Sequence, residues 1–324
     1  MDIAFCLDNN YLMPCGVALC SVCENNKSED ITFHIVSTNL NAASQQSLEN
    51  ISTRYGKQIH FYKIDESLIN RFPAKEDGQP EQITLAAYIR IFLCDLLPQE
   101  VKKVLYLDCD LVVTDNLAEM WNIDLVEYAG AAVPDYCCDD IRHYNRMKID
   151  PKYQYCNSGV FLLNLEYWRE HNVLDQMITF FKEHRERVFY HDQDLLNGVL
   201  YDKIVRLDAK FNVQIAYWAK PNWCFTSFQR WDELANARKH PVIVHYISTM
   251  KPWFKECFYT PQEYFLHYKS LTEWKDQPLG YLYPAKIRFT RFVRHLFEDL
   301  HLMKRRVEVY DMYFPDFIKR EHLR

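Results

Sequence analysis

The chain has 324 residues and a formal net charge of −6, with an isoelectric point near 6.1. Hydrophobic residues make up 48% and charged residues 25%, an ordinary globular composition that excludes general disorder, and the acidic balance argues against a nucleic-acid binder. No run of uncharged apolar residues is long enough to span a membrane and the N-terminus lacks a basic region, so neither a transmembrane segment nor a signal peptide is expected.

Residues 2–7 (DIAFCL) read as a first strand, followed by the polar turn Asp8-Asn9-Asn10-Tyr11 and an apolar-periodic helix to about Cys23. Residues 31–37 predict a second strand, 41–55 a helix starting at Asn41, and 58–64 a third strand. This alternation implies a parallel sheet with ligands at the C-terminal ends of the strands. Residues 70–82 hold two prolines, a glycine and mixed charges and read as a surface loop, either a passive connector or a lid. A helix is expected over 83–97, carrying Tyr88 and Arg90; arginine on such a face pairs with a carboxylate or a phosphate.

The stretch Lys102–Asp115, KKVLYLDCDLVVTD, is the one around which the rest of the chain is organised. Val104 to Leu107 read as a buried strand that delivers Asp108 and Asp110 at its end, and positions i and i+2 of extended chain face the same side. Two dehydrated carboxylates repel each other and require a cation, a proton or a ring of donors. Two readings stay open from these residues alone. One is a turn in which Asp108 caps a backbone amide; the other is a divalent metal site completed by phosphate oxygens.

Residues 128–134 predict a buried strand ending at Asp135, and 157–165 another, opening on Asn157-Ser158-Gly159. A helix is expected from about Glu166 to Arg187, and a new one near Tyr190-His191-Asp192-Gln193-Asp194. Residues 242–247 (VIVHYI) form a late strand presenting His245, with Lys251 six residues on. Eleven scattered cysteines fit reduced thiols of a cytoplasmic protein better than a disulfide framework. From Gly280 to Arg324, ten Lys/Arg stand against six Asp/Glu. Phe289, Phe292, Val293, Leu296 and Leu300 recur there at helical spacing between Arg288, Arg291, Arg294 and His295, followed by Tyr310, Tyr313, Phe314 and Phe317. Such a basic amphipathic helix either packs on the body or docks on an anionic membrane surface.

No Gly-rich phosphate loop and no GxSxG elbow occur, which disfavours kinases, Rossmann dehydrogenases and serine hydrolases. What remains is a spread set of acids, a histidine and basic groups: Asp8, Arg90, Asp108, Asp110, Asp192, His245 and Lys251.

Several ordered blocks carry a resemblance: Asp8 to Tyr11, the Tyr88/Arg90 helix, YLDCD at 106–110, NSGV at 157–160, DQDLLN at 192–197 and HYISTMKPW at 245–253. Over about residues 1–270 the chain resembles glycosyltransferase family 8, the retaining GT-A enzymes that include bacterial lipopolysaccharide galactosyl- and glucosyltransferases and the glycogenins. The resemblance implies an α/β GT-A fold, Rossmann-like, with a mixed, mostly parallel sheet flanked by helices. It implies a catalytic domain at 1–270 and a basic, aromatic tail at 271–324 that attaches to membrane. It implies a hexosyltransferase moving galactose or glucose from UDP-galactose or UDP-glucose to a saccharide or glycolipid acceptor in lipopolysaccharide or other cell-surface glycan synthesis, forming an α-linkage. Asp108, Asp110 and His245 then correspond to ligands of Mn²⁺, with Mg²⁺ as alternative, and Asp8, Asn10 and Tyr11 to the uridine site. Lys251 corresponds to a diphosphate contact, Ser248 stands beside the phosphates where several members have glycine, and Arg90, Asn157, Asp192 and Gln193 correspond to groups that hold the donor sugar. Of these, Arg90, Asp192 and Gln193 are the catalytic candidates; Asp135 and Tyr190 lie where the acceptor face is expected. The expected location is cytoplasmic, peripheral on the inner face of the cell membrane. The rival readings are a metal-dependent nucleotidyltransferase or phosphodiesterase, and a non-catalytic glycan- or membrane-binding protein of the same fold.

Overall fold

A computed structural model describes residues 1–65, 68, 86–220 and 230–319. The loop expected over 70–82 and the start of the helix expected from 83 lie outside the described residues, as does the side chain of Tyr310.

Among the described residues, ten strands form two sheets. The larger runs β3 (Gln58–Lys63), β2 (Thr32–Ser37), β1 (Asp2–Cys6), β4 (Lys103–Leu107), β7 (Cys156–Asn164), β6 (Gly130–Pro134), β8 (Ile204–Arg206). Its first four strands are parallel, β7 is antiparallel to both neighbours, and β8 returns to a parallel pairing with β6. The sheet is therefore mixed and mostly parallel, as expected. Alternation along its strands fills both faces: Ile3, Phe5, Leu105 and Leu107 join the α1 (Leu12–Asn25) side, while Ala4, Val104, Tyr106 and Phe161 face Trp168, Met177 and Leu195. Asn41 caps α2 (Ala42–Arg54) by accepting from the Ser44 N–H at 2.9 Å, the start read from the sequence.

The smaller sheet has β5 (Leu111–Val113) and β9 (Val213–Gln214) on either side of β10 (Ile243–His245). Between β4 and β5 the chain leaves one sheet for the other, and Asp108-Cys109-Asp110 is the crossover. The two acids thus converge because the chain turns there, and not because an extended strand points them the same way. The register pairs His245 with Leu111 and with Gln214, so β10 sets the imidazole beside the crossover. The Tyr246 N–H donates to the Asp110 carbonyl at 2.9 Å and the Asp108 N–H to the Gly159 carbonyl at 2.8 Å, which closes the crossover from both sides.

Two expected helices are broken. Around Arg90 a single helical turn (Ala86–Ile89) passes through a 3₁₀ turn (Arg90–Phe92) into Leu93–Leu96. The helix expected from 166 to 187 divides into Leu165–Glu170 and Val173–Glu183, because Asn172 adopts a left-handed conformation with φ 50°. The cysteines among the described residues are free.

The amphipathic helix of the tail forms at Ala285–Asp299 and buries none of its residues. Phe289 and Phe292 are 68% and 64% exposed, and Leu296, Leu300, Leu302 and Val307 are exposed as well. Packing of its apolar face on the body is therefore not what the fold shows. The chain then returns: Phe317 stacks on Trp218 with ring centroids 4.4 Å apart, and Phe317 and Ile318 are buried beside Val112, Val244 and Phe258.

Candidate active site

The crossover gathers the acids and the histidine. One carboxylate oxygen of each of Asp108 and Asp110 and one ring nitrogen of His245 lie within 4.8 Å of one another, enough to hold a metal ion. His245 Nε2 stands 3.3 Å from Asp110 Oδ1 and 3.7 Å from Asp108 Oδ2. Two carboxylates with one imidazole suit a borderline divalent cation such as Mn²⁺ and also admit Mg²⁺. Gly159 gives the cluster its room, since a Cβ there would meet His245 Cε1 at 2.3 Å and Asp108 Oδ2 at 2.5 Å. The donor set and this cradle fit a divalent ion.

Charge is arranged around the cluster in two directions. Lys251 Nζ donates to Asp110 Oδ2 at 2.5 Å and to the Tyr246 carbonyl at 2.8 Å. Burial alone would push the Asp110 carboxyl up, but Lys251 and then His245 hold it well below the usual carboxylate range. On the other side, Arg90 Nη2 is 2.9 Å from Asp108 Oδ1 and its Nε is 3.2 Å from Asp192 Oδ2. Its Nη1 donates to the Ser158 carbonyl at 3.1 Å, and the guanidinium lies over the Tyr106 ring at 4.4 Å. Burial works against the Arg90 charge, yet Asp108 and Asp192 hold it protonated even more firmly than usual. Asp192 itself is buried and its carboxyl is pushed up by that burial, with Arg90 opposing. Tyr106 Oη also donates to Asp108 Oδ1, at 2.6 Å.

A second group lies under β7. Gln193 Oε1 accepts from the Ser158 N–H at 3.1 Å and from Asn157 Nδ2 at 3.2 Å, while its Nε2 donates to Asp135 Oδ2 at 3.3 Å. Asp135 Oδ2 also accepts from Asn157 Nδ2 at 3.0 Å, and its Oδ1 from the Cys137 N–H at 3.1 Å and thiol at 2.8 Å. Both oxygens of Asp135 are thus already engaged. Tyr190 is exposed beside this group, its ring 5.4 Å from that of His143 and beneath the Arg146 guanidinium at 5.4 Å.

The strand-one turn sits where β1 ends. Asp8 accepts from the Asn10 N–H at 2.8 Å, which makes it the cap of the 3₁₀ turn Asn9–Tyr11. The Asn10 side chain is exposed. Tyr11 meets Trp253 edge-on at 5.8 Å, and burial, then the nearby Asp110, push its hydroxyl up to about 12. Ser248 is exposed and holds a left-handed φ of 74°, the backbone a glycine would adopt freely.

Sequence reasoning missed the buried amides and the strut below the site. Asn212 Oδ1 lies 3.0 Å from His245 Nδ1, and Asn212 Nδ2 donates to Asn157 Oδ1 at 2.9 Å. Asp194, fully buried, receives Arg146 at both oxygens (2.6 and 2.8 Å), Tyr155 Oη at 2.6 Å and the Phe189 N–H at 2.7 Å. That anchor holds the turn from which Tyr190 and Gln193 project. The available signal was polar residues within apolar runs: Asn212 and Gln214 alternate with Phe211, Val213 and Ile215.

A family model described as Glycosyl transferase family 8 matches residues 2–257. The chain is 29% identical to General stress protein A of Bacillus subtilis over 278 residues, 85% of this chain and 94% of that protein. It is 28% identical to the Lipopolysaccharide 1,3-galactosyltransferase of Salmonella typhimurium over 309 residues, 93% of this chain and 86% of the relative. The solved galactosyltransferase LgtC, in complex with donor and acceptor sugar analogues, superposes with a TM-score of 0.73 at 25% identity, covering 89% of this chain and 99% of that one.

Proposed function

The chain belongs to glycosyltransferase family 8, with a GT-A-like fold, and on that premise we propose a retaining, metal-dependent transfer of galactose or glucose from a UDP-sugar to a saccharide acceptor of a cell-surface glycolipid. The observation that carries this reading is the convergence of Asp108, Asp110 and His245 within 4.8 Å, bracketed by Lys251 and Arg90.

Asp108, Asp110 and His245 would hold Mn²⁺ or Mg²⁺; when bound, the cation neutralises charge that develops on the departing diphosphate. Lys251, hydrogen-bonded to Asp110, would add a second positive charge to the same phosphates. Tyr11, edge-on to Trp253, offers a face for the uracil, with Asp8 and Asn10 at the same turn. Arg90 and Asp192 hold the donor sugar from one side and Asn157 and Gln193 from the other. Fixing the sugar leaves one face open to the acceptor hydroxyl, the face the diphosphate vacates, which retains the anomeric configuration and yields an α-linkage. Gln193 Oε1 is occupied by two donors, so the amide serves to orient and is a poor nucleophile. Asp135 and Tyr190 bound the acceptor side.

Among the described residues no helix is long and apolar enough to cross a membrane. Peripheral attachment is assigned to the helix Ala285–Asp299 and the exposed Leu300, Leu302 and Val307 after it, within the tail at 271–324 beyond a catalytic domain at 1–270.

The test is UDP release from UDP-galactose and UDP-glucose with Mn²⁺, in wild type and Asp110→Ala. Turnover of one sugar nucleotide, abolished by the substitution, supports the reading; failure of the wild type to turn over or bind either one overturns it.

A further inference from the structure

Proton positions in the amide network are set by one unambiguous donor. The Gly159 backbone N–H can only donate, and it does so to Asn157 Oδ1 at 3.0 Å. The Asn212 atom 2.9 Å from that same oxygen must therefore be the amide nitrogen. Asn212 Oδ1 is then the atom 3.0 Å from His245 Nδ1, and a carboxamide oxygen can only accept. Nδ1 carries the proton, and Nε2 is the ring nitrogen left facing Asp110 Oδ1 and Asp108 Oδ2 at 3.3 and 3.7 Å, the one whose lone pair a bound cation would take. Asn157, Asn212 and His245 are all buried, at 7%, 0% and 3% exposure, so water does not compete for these bonds.

We infer that Asn212 is a positioning residue that sets His245 in its Nδ1–H tautomer, and that Asn157 couples this setting to Gln193 and Asp135. The same Asn157 amide that receives Asn212 at Oδ1 donates through Nδ2 to Asp135 at 3.0 Å and to Gln193 at 3.2 Å. A flip of Asn157 would turn its nitrogen toward the Gly159 N–H and its oxygen toward Asp135, and would remove the acceptor that orients Asn212. The ligand end and the sugar-facing end of the network are therefore held in one hydrogen-bond direction, from the imidazole proton toward Asn212 and from Asn212 toward Asn157. A partner on the second ring nitrogen fixes ring orientation and raises ligand basicity. The inference rests on the proposed metal site, but its readouts do not require glycosyl transfer.

The test uses the full chain. Binding of Mn²⁺ alone, without sugar nucleotide, is measured from the free-ion EPR signal in wild type, Asn212→Leu and Asn212→Asp. Asn212→Leu removes the acceptor and is expected to weaken binding about 10- to 100-fold. Asn212→Asp keeps an acceptor for Nδ1–H and is expected to stay within about threefold of wild type, while its second oxygen opposes Asn157 Oδ1 and disturbs Gln193. In wild type loaded with diamagnetic Zn²⁺, ¹⁵N-edited NMR of His245 is expected to show the proton on Nδ1. A proton on Nε2, or a folded Asn212→Leu protein that holds Mn²⁺ as tightly as wild type, overturns the inference. Should Asn212→Leu not fold, the wild-type tautomer decides. Loss of UDP release with an Nδ1–H tautomer intact would count against the transfer reading and leave this one standing.

Discussion

Lys251 Nζ holds Asp110 Oδ2 at 2.5 Å, on the opposite oxygen to the one His245 addresses. An ammonium so placed balances part of the charge of the acidic cluster and competes with a cation for it. Lys251→Ala should therefore act with opposite signs on two ligands. Bare Mn²⁺ should bind about three- to tenfold more tightly, because a like charge has been removed. UDP in the presence of saturating Mn²⁺ should bind at least about tenfold more weakly, because a phosphate partner is gone. Calorimetry of both titrations checks the pair of signs; a shift in the same direction for both would contradict the arrangement.

Asp110→Ala removes one carboxylate from the proposed metal site and the carboxylate partner of Lys251 together. Turnover should fall by at least about a hundredfold. Mn²⁺ titration of the same variant should show loss of the high-affinity site, with unfolding remaining cooperative.

Asp192 separates activity from stability. Burial raises its carboxyl above the ordinary value, so the folded state takes up a proton more readily than the unfolded chain. The stabilisation from that proton is fully present below the ordinary aspartate value near 3.8 and is lost as pH rises through the raised folded value. Once ionised, the buried carboxylate is a burden that Arg90 chiefly offsets, with the Ser158 hydroxyl and His191 adding to it. Asp192→Asn should therefore be at least as stable as wild type at pH 7, gaining relative to it as pH rises from below 3.8, while turnover drops about a hundredfold or more. Denaturant melts across pH check the sign, and a large loss of stability at pH 7 would refute it.

Gly159→Ala should damage the proposed metal site without substituting any of its candidate ligands. The added methyl would lie 2.3 Å from His245 Cε1 and 2.5 Å from Asp108 Oδ2, so strand β7 and the ligands must separate. A stability loss of about 1–3 kcal/mol is expected, together with Mn²⁺ binding weakened at least about tenfold. Thermal melts and metal titration on the same protein check both.

Membrane attachment is best tested by substitution. Phe317 and Ile318 belong to the core, so truncating the tail before 280 would expose Trp218 and its neighbours. Phe289 and Phe292 are exposed and touch no core, so Phe289→Asp with Phe292→Asp should leave the melting temperature unchanged. Co-sedimentation with anionic phosphatidylglycerol vesicles should be lost in this variant. Equal pelleting of variant and wild type would retire the attachment.

Much of the local structure is legible in the sequence. β1, β2 and β6 announce themselves as apolar runs with turn signals, and Asn41 marks the start of α2 by its capping chemistry. The helix around Arg90 reads as continuous because periodicity reports only which residues are apolar, whereas the 3₁₀ turn there places the guanidinium between two acids drawn from distant segments. The break at Asn172 has a comparable origin: a left-handed residue ends one helix and opens the next, and asparagine permits that conformation without announcing it.

The sequence by itself determined the candidate chemistry of this protein: two acids around Cys109, a histidine on a late strand, a lysine six residues later, and the ordered blocks that mark the family. Only the tertiary structure decided how they meet. Leu111 and His245 are paired by a ladder between strands more than a hundred residues apart, and Asp108 and Asp110 converge because the chain changes sheets between them. The tautomer of His245 depends on a backbone amide at Gly159 acting through Asn157 and Asn212. Hydrogen-bond direction is a property of groups brought together by folding, and no local pattern of residues encodes it.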